Sequence, residues 1–243
     1  MGRAVFDNAG FLGAARALAC ERGPGAVTVD SVTQRLGAPK GSFYHRFASR
    51  DALLGELWLE TVLAYQEGFV AAIESGDGLA AALHTPAWAR LHLDDARLLL
   101  LYSRHDFVQG DWPKTLKRGV RDQAQRLEGC VASFARGAFG RAGPAQLRRA
   151  AFVLAEVPIA AVKPHLRDRE PPPALVDELI TATYHAIVQG GPRRNAGDGA
   201  SALPTCYRLL GKSHPLSGFE TFYSRTELRE RLSDRDAQCV RST

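Results

Sequence analysis

Apolar residues recur at helical spacing along most of this chain. Leu12, Ala15, Leu18 and Ala19 share one face of a helix that ends at Gly23. Val29, Val32 and Leu36 stand at i, i+3 and i+7, which predicts a second, shorter helix. Thr28 sits at its N-cap, and Asp30 in the first turn suits the helix dipole. Val27 and Val32 have the spacing of a hydrophobic staple. Gly37 stops this helix. Pro39 suits the first turn of a third, where a missing N–H would be unpaired anyway. Phe43 and Phe47 are four apart and face inward, while Lys40, Ser42, Tyr44, His45 and Arg46 occupy the opposite face. Residues 28–47 therefore read as a helix-turn-helix whose second helix is apolar inside and cationic outside. Such spacing could also belong to any short amphipathic pair in a bundle, so the surroundings matter.

Beyond Ser49, which caps a fourth helix, the pattern stays helical. Leu53, Leu54, Leu57, Trp58, Val62 and Tyr65 form a stripe in a helix reaching about Glu74, and residues 75–78 break it. A helix over 78–92 is interrupted at Pro86, and the apolar run ARLLLLY after Asp94-Asp95 reads as buried. A break runs from Gly110 to Pro113. Lys114 to Phe139 reads as one long helix, with Val120, Ala124, Leu127, Val131 and Phe134 at heptad-like spacing. Residues 145–162 form a helix with a kink at Pro158, and a Pro-rich loop at 170–173 precedes a last helix from Ala174 to about Val188. The reading is all-α, about nine helices, with no convincing strand.

The chain has 243 residues, 45% of them hydrophobic, enough for two modest domains. The net charge is +5, and residues 1–50 hold seven Lys/Arg against three Asp/Glu, a net +4. Nearly all the positive excess thus lies with the helix-turn-helix, which favours a nucleic-acid partner over a merely solvated surface. No apolar run reaches the roughly 18 residues of a membrane span, and the N-terminus has no secretory h-region. A cytoplasmic location is expected. Cys20, Cys130, Cys206 and Cys239 are far apart with no C-x-x-C, so neither a disulfide framework nor a zinc site is expected. No metal and no cofactor are expected. G-x-S-x-G, H-E-x-x-H, P-loop and G-x-G-x-x-G patterns are missing, so the chain does not read as an enzyme.

The segments AArALacERG, AvTVdsVtqrLGapKGSFYhrF and SrdaLL, about residues 11–54, resemble the N-terminal domain of the tetracycline-repressor-like (TetR) family of bacterial transcriptional regulators. The resemblance implies phosphate contacts from Thr28, Ser42, Tyr44 and Arg50, and base contacts from Lys40, Gly41 and His45. These roles suit the side chains. Hydroxyls and cationic tips bind phosphate oxygens, Lys40 can donate to guanine, and a glycine lets the backbone approach a groove. Two positions depart from the family. Arg46 replaces the usual His before the closing aromatic, with His45 one place earlier, and Pro39 stands where a Ser or Thr cap is common. Arg46 keeps a cationic phosphate contact.

The resemblance further implies a division into a DNA-binding domain (1–52), an effector-binding and dimerisation domain (53–190) and, outside the resemblance, a mostly flexible extension (191–243). A dimer also follows from the chemistry, since two recognition helices must enter successive major grooves about 34 Å apart. In relatives the last two long helices form the interface. Here they offer Phe152, Leu154, Val157, Ile159, Ala160, Val162, Leu175, Leu179, Thr183 and Ile187. For an effector pocket, the middle helices supply His84, Trp88, His92, Tyr102, His105, Phe107, Trp112 and Phe134, a mix suited to an apolar cavity with a few polar points. The expected function is a ligand-responsive regulator, a repressor, binding duplex DNA as a homodimer. The alternatives are an enzyme or small-molecule carrier with a vestigial helix-turn-helix, and a DNA-binding protein without effector control.

Overall fold

The computed structural model describes residues 6–107 and 113–190. The described residues are helical throughout, with no strand among them. The expected flexible extension at 191–243 lies outside them.

Three helices make the head. Helix α1 (Asn8–Arg22) is capped by Asp7, which accepts from Gly10 N at 2.8 Å. It buries Phe11, Leu12, Ala14, Ala15, Leu18 and Ala19. A 3₁₀ turn (Pro24–Ala26) leads to α2 (Val29–Leu36). Thr28 caps α2 as the sequence predicts, and Ser31 completes a capping box by accepting from Thr28 N at 2.9 Å. Gly37 ends α2 in the left-handed conformation, φ 63°, so that the chain can turn tightly into the next helix.

Helix α3 (Lys40–Tyr44) is only five residues long. Pro39 is its N-cap rather than its first helical residue, with ψ 144°, and it makes no side-chain cap. Three rings hold α3 to α1. Phe11 meets Phe43 edge-on at 5.7 Å and Phe47 at 6.1 Å, while Phe43 and Phe47 lie 5.6 Å apart. All three are essentially inaccessible. Such ring pairs add about 0.5–1.5 kcal/mol each beyond their buried area.

Ser49 caps the long helix α4 (Arg50–Glu74), accepting from Ala52 N at 3.1 Å. This helix leaves the head and becomes the spine of the body. Helix α5 (Gly78–Leu91) continues through Pro86 rather than stopping there, and α6 (Leu93–Leu101) buries Leu98, Leu99 and Leu100. A single turn, α7 (Arg104–Phe107), precedes α8 (Lys114–Phe139). Helix α8 follows the expected periodicity, burying Val120, Ala124, Leu127 and Val131, while Phe134 is half-buried.

Helices α9 (Pro144–Ala151) and α10 (Val157–Arg167) form one rod, joined by a π turn at Phe152–Glu156. The π turn is how the rod absorbs Pro158. That residue donates no hydrogen bond, and its ring would press on the carbonyl of Leu154 four residues back. Widening the register, with Val157 N bonding to Phe152 O, relieves the conflict. Helix α11 (Ala174–Val188) packs on α5 and α10. Taking α9 and α10 as one rod and setting the single turn aside, the described residues make nine helices.

Head and body share contacts. Arg16 of α1 pairs with Asp95 of α6 and lies 3.4 Å from Glu60 of α4. Arg169 donates to Glu21 O at 3.4 Å. Tyr102 covers Gly23 so closely that a Cβ there would lie 3.2 Å from its hydroxyl.

Candidate nucleic-acid interface

The outward face of the head is built by the same residues that set its fold. Because Phe43 and Phe47 point inward, the residues between and before them on α3 must point out. Tyr44 is 59% exposed, its ring edge-on to Phe43 at 5.3 Å. His45 and Arg46 are exposed, Ser42 is half-buried and Gly41 is open, with nothing within 4 Å of a Cβ placed there. The cationic face is shorter in helix than expected. His45 closes α3 as its C-cap, with N–H bonding to Gly41 O at 3.1 Å, and Arg46 follows in the turn.

Lys40 reaches back to α2, its Nζ 2.7 Å from Asp30 Oδ1, both side chains well exposed. The hydrogen bond to that carboxylate holds the Lys40 ammonium above the usual lysine range. Thr28 is exposed, but its hydroxyl oxygen already accepts from Ser31 N at 3.0 Å. Glu21 and Arg35 lock α1 to α2 through two bonds of 2.7 and 2.9 Å, which pull the Glu21 carboxyl down and the Arg35 guanidinium up.

Arg50 differs from the expectation of a phosphate contact. Its guanidinium turns inward, donating to the carbonyls of Val27 and Pro24 (2.9 Å to Pro24) and standing 3.2 Å from Asp51. With these donors engaged, Arg50 braces the start of α4 against the turn before α2.

Residues 11–57 match the family described as bacterial regulatory proteins, tetR family. This chain carries a TetR-family DNA-binding head. The match covers α1 through the first turns of α4, the part of the chain that presents Lys40, Tyr44, His45 and Arg46. It carries the coarse function with it, DNA-binding transcriptional regulation. The fold as a whole is similar to the crystal structure of a candidate tetR family transcription regulator from Shewanella sp. PV-4, with a TM-score of 0.53 and 20% identity over 76% of this chain and 98% of that one. No curated protein matches the chain.

Below the TetR-type head, the eight pocket candidates fall into separate groups. His84, Trp88 and His92 follow one face of α5 around Tyr65. Tyr65 lies 5.1 Å from His84 and 5.2 Å from Trp88, and Trp88 lies 5.4 Å from His92. His84 Nε2 bonds to Tyr65 O at 2.7 Å, and Tyr65 Oη to Thr85 Oγ1 at 2.8 Å. Burial pushes the His84 imidazole below its ordinary value and the Tyr65 phenol up to about 12. Tyr65 and Trp88 are buried with His84 half-buried against them, a filled core, while His92 is exposed at the C-cap of α5. Tyr102 and Phe107 meet at 6.5 Å beside the head. Phe134 packs between Phe139 and Tyr184, over Gly78. Trp112 and the side chain of His105 lie outside the described residues. A cleft does exist, between α4 and α8, but none of the six described candidates lines it.

The dimer candidates divide as well. Leu154, Ile159 and Val162 are buried within the subunit, a correction to their expected place at an interface. They face inward because the π turn and α10 pack on α5, with α10 also against α6. Phe152 (38%), Leu175 (58%) and Leu179 (56%) remain exposed, and Ala160 with them. Val157, Thr183 and Ile187 are half-buried, with the Thr183 hydroxyl donating to Leu179 O at 2.8 Å.

Among the described residues, no three His, Cys, Asp or Glu side chains gather to hold a metal, and no helix is long and apolar enough to cross a membrane. Sequence reasoning missed Asp30 as the partner of Lys40, and it missed Arg16. The first was findable, since Asp30 and Lys40 flank the turn between the two helices. The second was not, because nothing local links positions 16 and 95.

Proposed function

We propose that the chain is a repressor of transcription that binds a pseudo-palindromic operator as a homodimer in the cytoplasm and is released by a small-molecule effector. The observation that carries the proposal is the outward face of α3, where Lys40, Tyr44, His45 and Arg46 project from a head whose own core is closed by Phe11, Phe43 and Phe47. Tyr44, Ser42 and Arg46 take phosphates and fix the register. Lys40 and His45 read base edges, and open Gly41 allows close approach of the backbone. Arg50 acts from behind, holding α4 to the head.

The exposed apolar stripe of Leu175 and Leu179, together with exposed Phe152, is the proposed dimer face. Scattered exposed leucines are ordinary, but these two lie one turn apart on the last long helix, where a two-fold partner would cover them. An effector acts only through different affinities for two conformers, typically a coupling of about 1–3 kcal/mol. Helix α4 is the element that would carry the change, since it belongs to both head and body.

The test begins with a genome-wide pull-down that recovers the operator. Lys40→Ala and Tyr44→Ala should then weaken operator binding at least tenfold while the dimer remains intact. Parental affinity in both variants would refute the interface.

A further inference from the structure

The cleft between α4 and α8 has apolar walls, Trp58 and Val62 on one side and Val120 and Ala124 on the other. Its polar groups are the amides of Gln66 on α4 and Gln123 on α8 and the indole N–H of Trp58, and among the described residues no charged one lines it. It is narrow, with room for about one water. Gln66 is only 5% exposed, and its Oε1 has no hydrogen-bond partner. A buried oxygen needs a donor, which one water in the cleft, or a ligand hydroxyl that displaces it, would supply. The two helices approach closely here, because a Cβ on Gly119 would lie 3.3 Å from Leu59. Anything larger than water entering the cleft must therefore push α8 away from α4.

The geometry points to this cleft as a binding site for a neutral, largely apolar molecule bearing a hydroxyl, which donates to Gln66 Oε1. The walls exclude an ion, since a charge placed among Trp58, Val62, Val120 and Ala124 would lose its hydration with no counter-charge in return. The donor must stay uncharged as well, which favours a hydroxyl over an amine. A hydroxyl has the further advantage of accepting from the Gln123 amide. The inference rests on the proposed effector control and gives it a place and a ligand class. Trp58 lies only about two turns along α4 from Arg50, whose side chain is bonded to the head, so a wedge at this depth acts on the element that carries α3.

Three probes of one shape test it on the full chain by titration calorimetry: 4-ethylphenol, ethylbenzene and 4-ethylbenzoate. The phenol should bind about tenfold tighter than the hydrocarbon, as one good hydrogen bond allows, and the benzoate should not bind. Gln66→Leu should remove the phenol's advantage and leave ethylbenzene bound. Ala124→Phe should block both while leaving DNA binding intact. Absence of phenol binding, equal affinity for phenol and hydrocarbon, or an undiminished preference in Gln66→Leu would overturn the site. The operator complex separates this outcome from that of the regulator reading. Gln66-dependent phenol binding that leaves operator affinity unchanged upholds the cleft and refutes effector control through it.

Discussion

Lys40 is not idle in the free protein. Its ammonium sits 2.7 Å from Asp30 Oδ1, in water on both sides, and DNA must displace that carboxylate to gain the lysine. An exposed pair of this kind is weak, worth about 0.2–1 kcal/mol. Asp30 also brings a negative charge close to the proposed phosphate path. Asp30→Asn should therefore tighten DNA binding about two- to fivefold in a fluorescence-anisotropy titration. Unchanged or weaker binding would mean that Asp30 positions Lys40 rather than competing for it. His84 makes a second case at this scale. Burial lowers its pKa and outweighs the bond to the Tyr65 carbonyl, so the folded protein prefers neutral imidazole. The unfolded chain takes up its proton near the ordinary value of about 6.5. Stability is then full above that pH and falls as the pH drops from it toward the depressed folded value. Urea denaturation from pH 7 to pH 5 should show this decline, and His84→Gln should flatten it. An identical slope in the variant would contradict the assignment.

Elements are where the sequence was most legible. Caps and periodicity are local, so Thr28, Ser49, Gly23 and Gly37 marked helix ends that the structure keeps, and α8 runs from Lys114 to Phe139 as its heptad-like spacing predicts. The proline in the rod was visible too, but not its outcome, because a kink and a π turn answer the same missing N–H. The aromatic residues of the body were the least legible. Which rings meet depends on how α4, α5, α8 and α11 pack, and spacing along one helix says nothing of that. Gln66 carries no sequence signal at all; its meaning comes from an unpaired oxygen in the folded chain. Gly37 tests the turn on which α3 depends. An L side chain at φ 63° costs roughly 1–2 kcal/mol, so Gly37→Ala should lower the Tm by several degrees. An unchanged Tm would show that the turn accommodates a Cβ. Gly78→Ala should be worse. Its Cβ would fall 2.2 Å from the Phe134 ring, an overpacking that costs about 1–3 kcal/mol.

At the scale of the whole molecule, a helix-turn-helix head is joined to a helical body through α1, α4 and α6. Arg16 joins α1 to Asp95 on α6 and Glu60 on α4, and Arg50 joins α4 to the turn before α2. Arg16→Ala should loosen this joint, so that amide exchange speeds up in α6 while the Phe11, Phe43 and Phe47 core stays protected. Leu179→Glu should shift the chain toward monomer in sedimentation velocity and weaken operator binding with it, since a single head covers only half a site. The most direct test of the central claim is the dependence of operator affinity on salt, measured for the parent and for Arg46→Ala. Phosphate contacts release counterions, so the parent's log affinity should fall steeply with log salt, and the variant's slope should be shallower by about one. A flat response in the parent, or equal slopes in the two proteins, would contradict docking of α3 on DNA.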